Sequence, residues 1–237
     1  MDPVLHVSAV IVAGGVGKRM RSTTPKQLLD LLGSPVVVWA VKAFDESPVI
    51  HSVVVVCPEG DAEVERVITQ YRFRKIHAVV AGGPERQDSV LEGLRAVPQS
   101  CTHVAVHDAA RPAVSGDIIR RTVEAAFRYG NAICAIPVRD TVKTVREGRV
   151  VATLDRETLW QAQTPQVFTR DALVSAHELA RQRRLRAPDD AALVEQLGQT
   201  VAVVSGSEEN IKVTTSIDLL LVAEILSSRM RCEGGQP

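Results

Sequence analysis

The chain has 237 residues, 45% of them hydrophobic and 24% charged, a globular balance that excludes disorder as the main state. Lys+Arg total 28 and Asp+Glu total 28, so the formal net charge is zero and a polybasic nucleic-acid binder is excluded. Aromatic residues are only 3%, too few for a single-strand stacking platform, so the core must be aliphatic.

The first apolar run, Val7–Ala13, is continuous rather than alternating, which predicts a strand covered on both faces. Val37, Ala40, Val41 and Phe44 then follow helical spacing. The rhythm repeats: strand Ser52–Cys57, a helix on Val64, Val67, Ile68 and Tyr71, strand Ile76–Ala81, and a helix on Val90, Leu91, Leu94 and Val97. Strand His103–His107, a helix on Ile118, Ile119, Val123 and Ala126, and strand Ala132–Pro137 complete the series. Such alternation predicts an α/β fold, a single doubly wound and mostly parallel sheet with helices on both faces.

Residues 138–159 break the rhythm. Thr141–Val145 and Val150–Leu154 flank a turn containing Gly148, which predicts a β-hairpin projecting as an arm. An isolated hairpin is marginal in water, so the arm is expected to pack on the same arm of a second subunit, giving a homodimer. Helices are predicted over Asp171–Arg184, Asp189–Leu197 and Ser216–Arg229, the last with Ser216 as N-cap, and a strand over Thr200–Ser205. The expected organisation is one core domain, residues 1–137 and 160–230, with the arm at 138–159 and a flexible tail at 231–237. Cys57, Cys101, Cys134 and Cys232 form no CxxC pair and the apolar runs are too short to span a bilayer. Met1-Asp2-Pro3 lacks the basic start of a secretory signal. A cytoplasmic protein without membrane partners is expected.

After the first strand comes Ala13-Gly14-Gly15-Val16-Gly17-Lys18-Arg19-Met20. A Gly-rich turn there brings backbone N–H groups close to a phosphate. The Walker A pattern fails, because Val12 stands where its first Gly belongs and Arg19 where Ser or Thr binds magnesium. The dinucleotide pattern fails because its third Gly is Met20. Lys18, Arg19, Arg21 and Lys26 crowd the same loop without a balancing acid, which points to a polyanion such as a triphosphate. Asp108 closes the strand at His107, on the edge where open α/β sheets bind ligands, and suits a magnesium shared with phosphate oxygens. His107 itself reads as structural, and the Arg181–Arg186 run as a solvated helix end.

Ala-Gly-Gly-x-Gly-x-Arg-Met, Pro25-Lys26-Gln27, Gly82–Val90, His107–Pro112, Pro137–Lys143, Gln163–Gln166 and Asn210–Thr214 occur in that order. This ordered set, covering roughly residues 8–226, resembles the 2-C-methyl-D-erythritol 4-phosphate cytidylyltransferases, which have a Rossmann-like nucleotidyltransferase fold. The resemblance implies CTP and a polyol phosphate as ligands, with Mg²⁺ as cofactor. It implies catalytic roles for Arg19, Lys26, Arg156 and Lys212. CTP would be bound by Ala13, Gly14, Gly15, Gly17, Gly83, Arg86, Ser89, Asp108 and Ala109. The acceptor would be bound by Arg111, Thr141, Arg156 and Thr164, and the metal by Asp108 and Glu209. Three positions depart from the family pattern: Glu209 replaces a shorter Asp, and Pro84 and Pro188 replace polar residues. Ribitol 5-phosphate cytidylyltransferases share the Gly loop and the arm and form the alternative. A non-catalytic nucleotide-binding protein on the same fold is the other.

Overall fold

The computed structural model describes residues 5–14, 25–60 and 62–234. The expected flexible tail is corrected in part, since the last helix continues to Gly234. Strand β1 is Val7–Val12, and a two-rung ribbon, β2 (Asp30–Leu31) and β3 (Ser34–Pro35), precedes α1 (Val36–Glu46). Then come β4 (Ser52–Cys57), α2 (Ala62–Gln70), β5 (Ile76–Ala81), α3 (Arg86–Ala96), β6 (His103–Asp108), α4 (Gly116–Tyr129) and β7 (Asn131–Pro137). The arm is β8 (Lys143–Arg146) and β9 (Arg149–Thr153). The chain returns through β10 (Trp160–Thr169), α5 (Arg170–Arg183), α6 (Asp190–Glu195), β11 (Ala202–Ser205) and α7 (Ser216–Gly234).

Seven strands form one sheet in the order β11-β7-β10-β6-β1-β4-β5. All neighbours are parallel except β10, which runs antiparallel to both β6 and β7. The uninterrupted apolar runs have a simple cause. Val7, Ala9 and Ile11 face one layer with α1, α2 and α4, while Val10 and Val12 face the other with α3, α5 and α6. Each residue of β1, β4 and β6 is therefore buried whichever way it points. Gly93 on α3 is where helix and sheet touch most closely, since an added Cβ would collide with Val10 and Val56. A smaller apolar cluster seats α7 on Leu31, Val36, Ala113 and Val213.

One expected cap is corrected. Thr215, not Ser216, opens α7: Asp218 N donates to Thr215 Oγ1 at 3.3 Å, and Asp218 Oδ2 accepts from the backbone N–H groups of Thr214 and Thr215. The reciprocal bonds make a capping box of the Thr-x-x-Asp form.

The register sets the site. Val12 lies opposite both Val56 and Asp108, so β1, β4 and β6 end on one rim. Backbone bonds continue past the strands: Ala13 N donates to Val56 O at 2.8 Å, Ala109 N to Val12 O at 3.0 Å, and Gly82 N to Cys57 O at 2.7 Å. Cys57, Cys101 and Cys134 are buried and Cys232 is exposed, and none of the four is in a disulfide. No helix of the described residues is long and apolar enough to cross a membrane.

The candidate nucleotide site

A cavity of about 300 Å³ opens at that rim. From β1 come Val12, Ala13 and Gly14, from the turn before α3 come Gly83, Pro84 and Glu85, and from α3 come Arg86 and Ser89. The end of β6 adds Asp108, Ala109 and Ala110, and Lys26 and Lys212 close the sides. Nine expected site residues thus meet in one hollow: Ala13, Gly14, Lys26, Gly83, Arg86, Ser89, Asp108, Ala109 and Lys212. Gly15, Gly17 and Arg19 lie outside the described residues.

The turn after β5 is tight because it must be. A Cβ at Gly82 would lie 2.6 Å from Ser89 Oγ, so the backbone can approach α3 only without a side chain. Ser89 is buried and its hydroxyl lies 3.1 Å from Glu85 O and 3.3 Å from Gly83 O, pinning the turn to the helix. Pro25 (φ −53°) leads into the short 3-10 turn Lys26–Leu28, from which Lys26 lines the cavity.

The electrostatic centre is Asp108. Arg86 Nε donates to Oδ1 at 2.9 Å and Lys212 Nζ to Oδ2 at 2.6 Å. Burial alone would raise its pKa, but the Arg86 guanidinium and the Lys212 ammonium outweigh burial and hold the carboxyl well below the usual range. Arg86 is pushed up in turn by Asp190 and Asp108, against the cost of its burial. Two cations therefore wait at the cavity on one shared counter-ion.

Behind Asp108 the polar groups are satisfied in sequence. Asp108 N donates to Thr164 Oγ1 at 3.1 Å, and that hydroxyl contacts His107 Nδ1 at 3.0 Å. His107 Nε2 reaches Arg111 O at 3.2 Å, a carbonyl that only accepts, so the proton sits on Nε2 and the Thr164 hydroxyl donates to Nδ1. Burial pushes His107 down to about 4, so it is neutral at pH 7 and structural, as its sequence setting indicates.

The residues expected to bind the acceptor, Arg111, Thr141, Arg156 and Thr164, do not line this cavity. Thr164 is buried on β10, and its hydroxyl is engaged by Asp108 N and His107, so it braces the β6 terminus instead of facing the cavity. Arg111 Nη1 donates to Asn210 O at 2.6 Å and Val213 N to Ala110 O at 2.7 Å, so Arg111 holds the segment that carries Lys212. Thr141 is exposed, and Arg156, in the turn after β9, donates from Nη1 to Arg139 O at 2.8 Å. Within one chain neither Thr141 nor Arg156 lines the cavity.

Glu209 does not line it either: its Oε2 accepts from Arg229 Nη2 at 2.6 Å, an ion pair with α7. Of the two carboxylates expected to hold the metal, Asp108 is the one at this cavity. Among the described residues no group of three or more His, Cys, Asp and Glu is arranged to cage an ion. One ionised carboxylate at a cavity rim does suit Mg²⁺, which characteristically takes one or two protein carboxylates and fills its remaining positions with phosphate oxygens and water.

Two residues without an assigned role in the sequence reading belong to this architecture. Asn210 is fully buried, and its Nδ2 donates to Thr164 O at 2.9 Å, tying the Lys212 segment to β10. Asp190 is also buried, and its Oδ2 accepts from Arg86 Nη1 at 2.8 Å. The Asp189-Asp190 pair is visible in the sequence, but its partner lies 104 residues away.

Comparison with known proteins agrees with this geometry. The family model described as 2-C-methyl-D-erythritol 4-phosphate cytidylyltransferase matches residues 7–228. A protein of that name from Pelotomaculum thermopropionicum is 46% identical over 226 residues, covering 94% of this chain and 95% of the relative. The crystal structure of such an enzyme from Thermus thermophilus shares 34% identity at a TM-score of 0.78, covering 94% of this chain and all (100%) of the other. A 4-diphosphocytidyl-2C-methyl-D-erythritol synthase from Anaerococcus prevotii superposes at a TM-score of 0.83 with 27% identity, over 94% of this chain and 96% of that one. With its rim of converging cations and a family match from the first strand to the last helix, the chain belongs to the 2-C-methyl-D-erythritol 4-phosphate cytidylyltransferase family.

Proposed function

We propose that the chain transfers the cytidylyl group of CTP to the phosphate of 2-C-methyl-D-erythritol 4-phosphate, a step in building isoprenoid precursors. An acceptor phosphate oxygen attacks the α-phosphorus. The bond from that phosphorus to the bridging oxygen breaks, and pyrophosphate leaves with the electron pair. The acceptor phosphate is already ionised near neutral pH, so proton removal contributes little. The protein's work is positioning and charge neutralisation. The observation that carries this reading is the convergence of Lys26, Arg86, Asp108 and Lys212 on one cavity beside the backbone of Ala13, Gly14 and Gly83.

Lys26 and Lys212 neutralise the phosphates, and Asp108 holds Lys212 until they arrive. Asp108 would also supply the protein carboxylate to Mg²⁺, which when bound neutralises phosphate charge. Pyrophosphate release from CTP, Mg²⁺ and each acceptor tests the reading. Turnover with methylerythritol phosphate and near-background release with ribitol 5-phosphate is expected, and chelation should stop it. Equal or faster turnover with ribitol 5-phosphate would overturn the choice of acceptor.

The arm supports a homodimer. Val145, Val150 and Val151 are 54%, 62% and 59% exposed, an apolar ribbon that a lone chain leaves in water. Pairing with a second copy covers it and allows Thr141 and Arg156 to reach the neighbouring cavity. Sedimentation should give a dimer for the whole chain and a monomer when residues 143–153 are replaced by a short turn. A monomeric wild type removes the proposal. Three buried cysteines outside any disulfide suit the reducing cytoplasm, where fractionation should find the protein.

A further inference from the structure

One of the cavity's cations, Arg86, is held from behind by a buried carboxylate. Asp190, at the start of α6, is 1% exposed. Its Oδ2 accepts from Arg86 Nη1 at 2.8 Å, and its Oδ1 lies 3.2 Å from Nε2 of His177, itself buried on α5. Its backbone is fixed too: Gln166 Oε1, on β10, accepts from Asp190 N at 3.2 Å and from Ala191 N at 3.1 Å. Gln166 Nε2 completes the clamp by donating to Asp189 Oδ2 at 2.8 Å.

Three elements therefore aim one carboxylate at one guanidinium. Arg86 shares its remaining charge with Asp108 through Nε at 2.9 Å, and Asp108 holds Lys212 at 2.6 Å. The chain of contacts runs Asp190–Arg86–Asp108–Lys212 and ends in the cavity, which Arg86, Asp108 and Lys212 all line. A buried ion pair is rarely a net source of stability, and apolar packing serves as well or better. Its geometry is what an apolar pair cannot supply. With Nη1 tied to Asp190, Arg86 presents only its Nε edge to Asp108. That single bond leaves Oδ2 for Lys212. Released from Asp190, the guanidinium can turn and take both oxygens of Asp108 as a fork, displacing Lys212.

We propose that Asp190 is a positioning residue for the nucleotide: by fixing the Arg86 guanidinium it sets how Asp108 and Lys212 are presented to the triphosphate. This rests on the cytidylyltransferase reading for the identity of the ligand, so the test measures binding apart from turnover. CTP is titrated calorimetrically into wild type, Asp190→Asn, Arg86→Lys and the double variant, and KM and kcat are measured alongside.

Asp190→Asn is expected to weaken CTP binding and raise its KM about tenfold, with kcat within about threefold and the acceptor KM unchanged. Arg86→Lys should weaken CTP binding at least as much, because lysine lacks the fork that joins Asp190 to Asp108. The double variant should be no worse than the worse single one, because both act through one guanidinium. If Asp190→Asn does not fold, Asp190→Glu displaces Arg86 while keeping the charge, and the same tenfold shift is expected. Wild-type CTP affinity in a folded Asp190 variant overturns the inference, as do losses that multiply in the double variant. Calorimetric binding of CTP by a wild type without turnover would count against the reaction reading and leave the Asp190 comparison intact.

Discussion

Replacing Asp108 with asparagine is expected to cost at least about 10³-fold in turnover and about 1 kcal/mol in stability. The carboxylate is 7% exposed and bonded to two cations, so its removal leaves Lys212 without its counter-ion and Arg86 with only Asp190. The stability loss stays moderate because Lys212, 39% exposed, keeps water around its ammonium and Arg86 keeps Asp190. The two losses separate in a second variant. Asp108→Asn with Lys212→Met removes the orphaned ammonium, so the urea midpoint should recover in large part while pyrophosphate release stays at background. A single variant with wild-type midpoint and turnover would show that the cavity's charges are not organised around this residue.

Lys26→Ala is expected to lower kcat by about 10²-fold or more, equivalent to about 3 kcal/mol of transition-state stabilisation. Lys26 lines the cavity from the short turn that follows Pro25. Its ammonium is thereby placed where the phosphates are proposed to bind. Its side chain is only partly buried and packs no core cluster, so the thermal midpoint should move little. Near-normal turnover in this variant removes Lys26 from the mechanism, whereas loss of folding would show that the turn itself depends on it.

The central strands of the sheet were legible in the sequence because they are buried on both faces. Runs such as Ser52–Cys57 can be nothing polar, and they coincide with β4 and its neighbours. The strand that escaped notice is β10. Gln161, Gln163, Thr164, Pro165 and Gln166 interrupt its apolar pattern, because its middle serves as a polar bracket for Asp108, Asn210 and α6 rather than as filler. The register shift between Ala162 and Gln166 further hides the alternation.

In the site, the Gly turns and the cations could be read as residue types. Their pairing could not. Nothing local marks Arg86 as shared by Asp108 and Asp190, which lie 22 and 104 residues away. For the same reason Thr164 and Arg111 looked like ligand groups: a hydroxyl and a guanidinium near a motif have no visible partner until the chain is folded.

The arm has a consequence of its own. It leaves the sheet after β7 and rejoins at β10, and Val138 N donates to Leu159 O at 3.0 Å across its neck. Every residue of β8 and β9 is exposed. Substitutions there leave the packed interior of their own chain untouched and act instead through whatever the hairpin docks on. In the proposed pair of copies, a change in the hairpin's length or shape would therefore be felt at the other subunit's cavity, through the placement of Thr141 and Arg156.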